Sequence, residues 1–187
     1  MIGIIYHSPS DNSNMQKYGR RSIRLNAFNY SKKGRYFITI CTYKHRLILG
    51  EIFNSRFISS EVGEMAIRWL NLIPNKFKSV KLDEYIIMPD HMHAIIILKQ
   101  NNMNSLPHII QWYKTMTTNN YIKDNKTVNF KYLCGKLWQR NYYEHIIRNK
   151  EELAYIREYI STNVEAETQL PYCKGRPVCL PFFSCRH

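Results

Sequence analysis

The stretch that decides the fold is "YIIMPDHMHAIII", residues 85–97. An apolar run breaks at Pro89-Asp90, then resumes with His91, Met92 and His93. Pro-Asp between two β-rich runs marks a turn, so "VKLDEYIIM" and "HMHAIIIL" read as adjacent strands of a hairpin. Side chains two apart in a strand share a face, so His91 and His93 project together while Met92 and Ala94 point the other way. Two parallel imidazoles at that spacing can share one divalent metal. The competing reading is a pair of ordinary hydrogen-bonded strand histidines, and spacing alone does not choose between them.

Working outward, "RYFITICTY" (35–43) is rich in β-branched and aromatic residues and predicts a strand. "SSEVGEMAIRWLNLIPNKF" carries Val62, Met65, Ala66, Trp69 and Ile73 at helical spacing, with Ser59 or Ser60 as cap and Pro74 near its end. After the hairpin, "LPHIIQWYKTMTTNNYIKD" places Ile109, Trp112, Tyr113, Met116 and Tyr121 at helical intervals, with Pro107 tolerated in the first turn. "LWQRNYYEHIIR" (137–148) reads as a fourth strand. "NKEELAYIREYISTN" reads as a helix capped by Asn149, with Glu152 completing a capping box and Leu153, Ile156 and Ile160 forming its apolar stripe. The order β-α-β-β-α-β plus one helix is an α+β, ferredoxin-like plan. Helices would cover one face of an antiparallel sheet and leave the other available.

The first 35 residues hold Lys17, Arg20, Arg21, Arg24, Lys32, Lys33 and Arg35 against one acid, Asp11. We divide the chain into a basic arm (1–34), a folded domain (35–165) and an irregular tail (166–187). The 187 residues carry a formal charge of +13. That excess points to phosphate-rich partners, because basic side chains displace condensed counterions from nucleic acid. No apolar run approaches the roughly 18 residues of a membrane span, and the start lacks a signal-peptide pattern, so the expected location is the cytoplasm. Five cysteines without an export signal or a CxxC pair argue against both a disulfide framework and a zinc site.

In the last helix Tyr155, Tyr159 and Asn163 recur every four residues and align along one side. Tyr159 and Asn163 lie at the edge of the apolar stripe, where side chains can overhang a sheet. Tyrosine offers a nucleophile and asparagine an oxygen ligand. The plainer reading makes these tyrosines amphipathic flank residues with wet hydroxyls.

Three segments together, "YGRRSIRLNAFNYSKKGRYFITICTYKHRLILGEIF", "YIIMPDHMHAIIIL" and "LWQRNYYEHIIRNKEELAYIREYISTN", resemble the REP-associated tyrosine transposases. These are single-tyrosine transposases of the His–apolar–His (HUH) group, and the likeness covers about residues 18–163. It departs after Asn163, where Val164 stands in place of the family's proline. The resemblance implies a ferredoxin-like domain that cuts and joins single-stranded DNA beside hairpins through a 5′-phosphotyrosine link. By position, His91 and His93 match the metal-binding pair, Asn163 the third ligand and Tyr159 the nucleophile. Tyr142, Tyr143 and Tyr155 do not match the family's tyrosine and are left as core or stacking residues.

Two imidazoles and phosphate chemistry favour Mg²⁺ or Mn²⁺ as the cofactor. Arg20, Arg21 and Arg24 are candidates for phosphate or hairpin contacts. Trp138 and Arg140 are candidates for meeting bases, with core packing the alternative for Trp138. Lys114 is either a solvated charge or a phosphate contact, and His145 either assists at the site or is a hydrogen-bonded strand histidine. The expected partner is single-stranded or hairpin DNA, not a membrane, and the protein is a monomer or homodimer, the resemblance favouring the monomer. The rival class is a non-catalytic nucleic-acid-binding module, or a decayed transposase that binds hairpin DNA without cutting.

Overall fold

Strand β1 (Gly34–Cys41), an almost unbroken run of β-branched and aromatic residues, sits inside the sheet and pairs on both sides. In this computed structural model residues 29–99, 104–127 and 135–169 are described. The basic arm up to residue 28 and the tail beyond residue 169, with Arg20, Arg21 and Arg24, lie outside them. So do Cys134, Cys173, Cys179 and Cys185.

After β1 come a short hairpin, β2 (Gly50–Phe53) and β3 (Arg56–Ser59), and helices α1 (Glu61–Asn71) and α2 (Ile73–Lys76). Then follow β4 (Val80–Ile87), β5 (His91–Leu98), α3 (Leu106–Thr127), β6 (Tyr143–Ile147) and α4 (Lys150–Gln169). The main sheet has the order β4-β5-β1-β6, every pair antiparallel. This is the expected βαββαβ arrangement. No helix among the described residues is long and apolar enough to cross a membrane.

Strand alternation divides the core in two. Tyr36, Ile38 and Ile40 of β1 and Met92, Ala94 and Ile96 of β5 meet α1 and α3 on one face. Phe37 and Ile95 point the opposite way, against Leu153, Ile156 and Ile160 of α4. The face expected to stay open is therefore occupied by α4. Its apolar stripe would otherwise sit in water, and burying each such side chain is worth about 1.5–3 kcal/mol. A bulge between Leu82 and Tyr85 adds one residue to β4. Leu82 and Tyr85 both pack on the α1–α3 side, while the Asp83 carboxylate accepts two hydrogen bonds from Arg157 of α4, at 2.9 and 2.6 Å.

Three local expectations need correction. The fourth strand is shorter than 137–148. Tyr143–Ile147 forms the regular ladder with β1. Upstream, Trp138 makes a single antiparallel bridge to Thr42 just past the end of β1, and Gln139 N–H donates to the Cys41 carbonyl at 2.9 Å, while the Leu137 and Trp138 side chains pack in the α1–α3 core. The β2–β3 hairpin was not anticipated, although Asn54 and Ser55 have φ of 49° and 58°, the left-handed pair that a tight two-residue hairpin needs. At α4, Asn149 caps as expected, accepting from the Glu152 N–H at 2.7 Å, but the Glu152 carboxylate reaches the Arg148 N–H at 2.6 Å rather than that of Asn149. At α1 the cap is Ser60, whose hydroxyl accepts from the Gly63 N–H at 3.1 Å.

Gly63 is where α1 touches the loop before β2. A methyl group there would overlap the Leu49 carbonyl oxygen, a backbone atom that cannot swing aside. In an open helix Gly→Ala stabilises by about 1 kcal/mol. Here the sign reverses, and Gly63→Ala is expected to lower the midpoint of urea unfolding.

Candidate functional site

β1, β5 and α4 bring Thr39, His91, His93 and Tyr159 together where β5 leaves the Pro89-Asp90 turn. His91 and His93 project toward α4 as strand alternation requires, with ring centroids 4.8 Å apart. Both are buried, at 4% and 0% exposure. Thr39 stands directly opposite His93 in the β1–β5 ladder, with its Oγ1 2.8 Å from His93 Nδ1. Phe37 stacks on the same imidazole, centroids 5.2 Å apart. Burial, and then the neighbouring His91, hold the His93 pKa well below the usual histidine range, so the ring is neutral.

His91 is fixed by Asp90. A carboxylate can only accept, so His91 Nδ1–H donates to Asp90 Oδ1 at 2.6 Å. With Nδ1 spent on Asp90, Nε2 is the ring atom left to meet a ligand, and that buried atom has no hydrogen-bond partner. The second Asp90 oxygen accepts from Nδ1 of His45 at 2.8 Å. Burial alone would raise the Asp90 carboxyl. The hydrogen bonds and charges of His91 and His45 outweigh it and hold the pKa below the ordinary value.

Helix α4 delivers the other two groups. Tyr159 OH lies 3.5 Å from His93 Nε2, and its ring meets His93 and Phe37 edge-on. One turn later Asn163 is 2% exposed, and its Nδ2 has no hydrogen-bond partner. Buried polar atoms without partners are rare and costly, about 1–3 kcal/mol each. One such atom on His91 and one on Asn163 suit a site that takes a further ligand. The described residues contain no group of three His, Cys, Asp or Glu able to hold a metal ion. A cation here would rest on two imidazoles and an amide. Turning the Asn163 amide by 180° exchanges its nitrogen for the oxygen such a ligand set needs.

The other sequence candidates lie elsewhere. Trp138 is a core residue, 5% exposed, donating its indole N–H to Thr117 Oγ1 at 2.7 Å, so its ring is not on offer to bases. His145 is a hydrogen-bonded strand histidine, its Nε2 2.7 Å from Glu152 Oε1. Lys114 is not a solvated charge. Its ammonium donates to the Gln139 and Arg140 carbonyls at 2.5 and 2.9 Å, and burial lowers its pKa to about 8. It holds the loop that presents exposed Arg140. Near it Cys41, opposite His91 in the ladder, has its thiol pushed up to about 11 by burial and by Asp90. Sequence reasoning missed Asp90, Thr39 and His45 as supporting residues. The ladder position of Thr39 is fixed by strand pairing, but His45 sits in a short 3-10 turn with no periodic signal.

The family described as Transposase IS200 like has a sequence model that matches residues 36–163. An uncharacterized protein of Haemophilus influenzae is 33% identical over 164 residues, spanning 77% of this chain and 87% of its own length. A second H. influenzae protein, provisionally named a REP-associated tyrosine transposase, is 28% identical over 154 residues, 77% of this chain and 81% of that protein. A solved structure of a REP-associated tyrosine transposase bound to a REP hairpin has the same fold. It superposes with a TM-score of 0.55 at 18% identity, covering 83% of this chain and 76% of that one.

The Thr39–His93 contact can be tested without any ligand. Thr39→Val keeps the shape but leaves His93 Nδ1 buried without a partner. The expected cost is about 1–3 kcal/mol in chemical denaturation, with the ¹⁵N shift of His93 Nδ1 moving as its hydrogen bond is lost.

Proposed function

The chain belongs to the IS200-like transposase family, and from that premise we propose that it cuts and rejoins single-stranded DNA beside a hairpin, with Tyr159 as nucleophile. The observation that carries this reading is the 3.5 Å approach of Tyr159 OH to His93 Nε2, beside the unpartnered Nε2 of His91. In cleavage the phenolic oxygen bonds to phosphorus and the bond to the DNA 3′ oxygen breaks. The phenolic proton leaves through solvent, and the 3′ oxygen ends as a hydroxyl. The 5′ phosphate stays on Tyr159. A phenol has a pKa of about 10, so phenoxide is a good leaving group when a 3′ hydroxyl attacks the link later. Rejoining then needs no nucleotide.

His91, His93 and Asn163 are the residues that would hold a divalent cation, Mg²⁺ or Mn²⁺. Such an ion supplies positive charge toward a phosphate oxygen, which withdraws electrons from phosphorus. The protein's own part is preorganisation. Asp90 fixes the His91 tautomer, Thr39 and Phe37 hold His93, and the packed stripe of α4 holds the phenol over both. Carboxylate–imidazole pairs of this kind raise ligand basicity as well as orienting the ring. The fold neighbour bound to a REP hairpin supports DNA with a hairpin as substrate, and the charge of +13 fits that partner.

The test is a labelled DNA hairpin with a single-stranded flank, incubated with Mn²⁺ and run on a denaturing gel. A covalent protein–DNA adduct is expected, absent in Tyr159→Phe. His91→Ala should also lose the adduct while keeping most of its affinity on a native gel. Retardation without any adduct in the unmodified protein would refute the catalytic reading in favour of binding alone. A second measurement concerns the metal. Asp90→Ala is expected to weaken Mn²⁺ binding about 10–100-fold, read by electron paramagnetic resonance of free Mn²⁺, with no DNA present.

A further inference from the structure

The turn that carries His45 has a feature the catalytic reading does not use. Around the ring of Tyr43 lie three cations, with Lys136 Nζ at 5.4 Å from its centroid, Lys44 Nζ at 5.6 Å and Arg46 Cζ at 5.9 Å. Among the described residues no carboxylate lies within ion-pair distance of any of the three. Lys44 and Lys136 are exposed. Like charges gathered round one ring repel, and the ring's negative face offsets this only in part. An anion bound among them removes the repulsion.

The cluster is built rather than incidental. Tyr43 N–H donates to the Leu137 carbonyl at 2.8 Å, and the Arg46 guanidinium donates to the Tyr43 and Lys136 carbonyls at 3.2 and 2.5 Å. Two segments distant in sequence are thus clasped so that their charges converge. Lys44 and His45 are both left-handed, with φ of 58° and 51°, which non-glycine residues adopt rarely. The turn is also joined to the candidate site. Thr42 N–H donates to the Asp90 carbonyl at 2.8 Å, and His45 reaches the Asp90 carboxylate whose other oxygen holds His91.

We propose that Lys44, Arg46 and Lys136 around Tyr43 form a binding site for the phosphodiester backbone of single-stranded DNA flanking the bond to be cut. The inference rests on the proposed function for the choice of strand. Converging cations with an aromatic ring are how single-strand grooves track a backbone while accepting any base. The turn is tied to Asp90 through Thr42 and His45, and Asp90 holds His91, so backbone held here would lead toward the phosphate that Tyr159 would attack.

The test is the salt dependence of binding, measured on the full chain in chelator so that no cutting occurs. Lys44→Gln with Lys136→Gln removes two exposed charges and leaves Arg46 to hold the turn. Two probes are compared, a hairpin with a single-stranded flank and the same hairpin without it. For single strands the slope of log affinity against log salt is about −0.7 per neutralised phosphate. The double variant should therefore be shallower by about 1.4 on the flanked probe and unchanged on the bare hairpin. No change on either probe, an equal change on both, or a change on the bare hairpin alone overturns the proposal. A shallower slope on the flanked probe in a protein that forms no adduct with Mn²⁺ would sink the catalytic reading and leave the binding site standing. An adduct without the slope change would sink the binding site alone.

Discussion

The docking of α4 on the sheet is the interaction on which the rest depends. Leu153, Ile156 and Ile160 meet Phe37, Ile95 and Ile147, with Ile86, Ile97, Tyr155 and Tyr159 packed against the cluster. Without it the two histidines would face water on an open sheet. With it they are buried, His93 is neutral, and a phenol from the far end of the domain stands over them. One hydrophobic contact thus sets dielectric, protonation and proximity together.

Much of this arrangement was legible in the sequence because it follows from short-range periodicity. The Pro-Asp turn, the two-residue alternation of β5 and the four-residue recurrence in α4 each fix which way a side chain points. They put His91 with His93, and Tyr159 with Asn163, before any tertiary contact is known. The likeness to a known transposase family then joined the two pairs. What stayed hidden depends on contacts distant in sequence or on irregular backbone. His45 reaches Asp90 across 45 residues from a left-handed turn, and Lys114 meets the loop at Gln139 through a packing that helical spacing does not report. Residues 137–142 carry strand-like composition, yet they keep only an isolated bridge, Trp138 to Thr42, beside the end of β1, with Leu137 and Trp138 buried.

The supporting residues share a logic. Asp90 and Thr39 each bind the Nδ1 side of one imidazole. With both Nδ1 atoms engaged, both Nε2 atoms are turned inward toward the space shared with α4. A pair of histidines alone would leave four tautomer combinations. Asp90, which can only accept, selects the tautomer of His91 before any ligand arrives, while Thr39, able to donate or accept, fixes the orientation of the His93 ring.

Asp83, beside the bulge in β4, has a bearing on Tyr159 that its distance from the site conceals. A helix seated on a flat apolar sheet is free to roll, because oily contacts have no preferred azimuth. Strand alternation turns Asp83 away from Leu82 toward the helix layer, where it gives Arg157 a fixed stop on one flank of α4. At about 100° per residue, Tyr159 stands on the opposite flank. Pinning one side of a rigid cylinder sets the height of the other, so an ion pair between β4 and α4 acts as the levelling screw for a phenol it never touches.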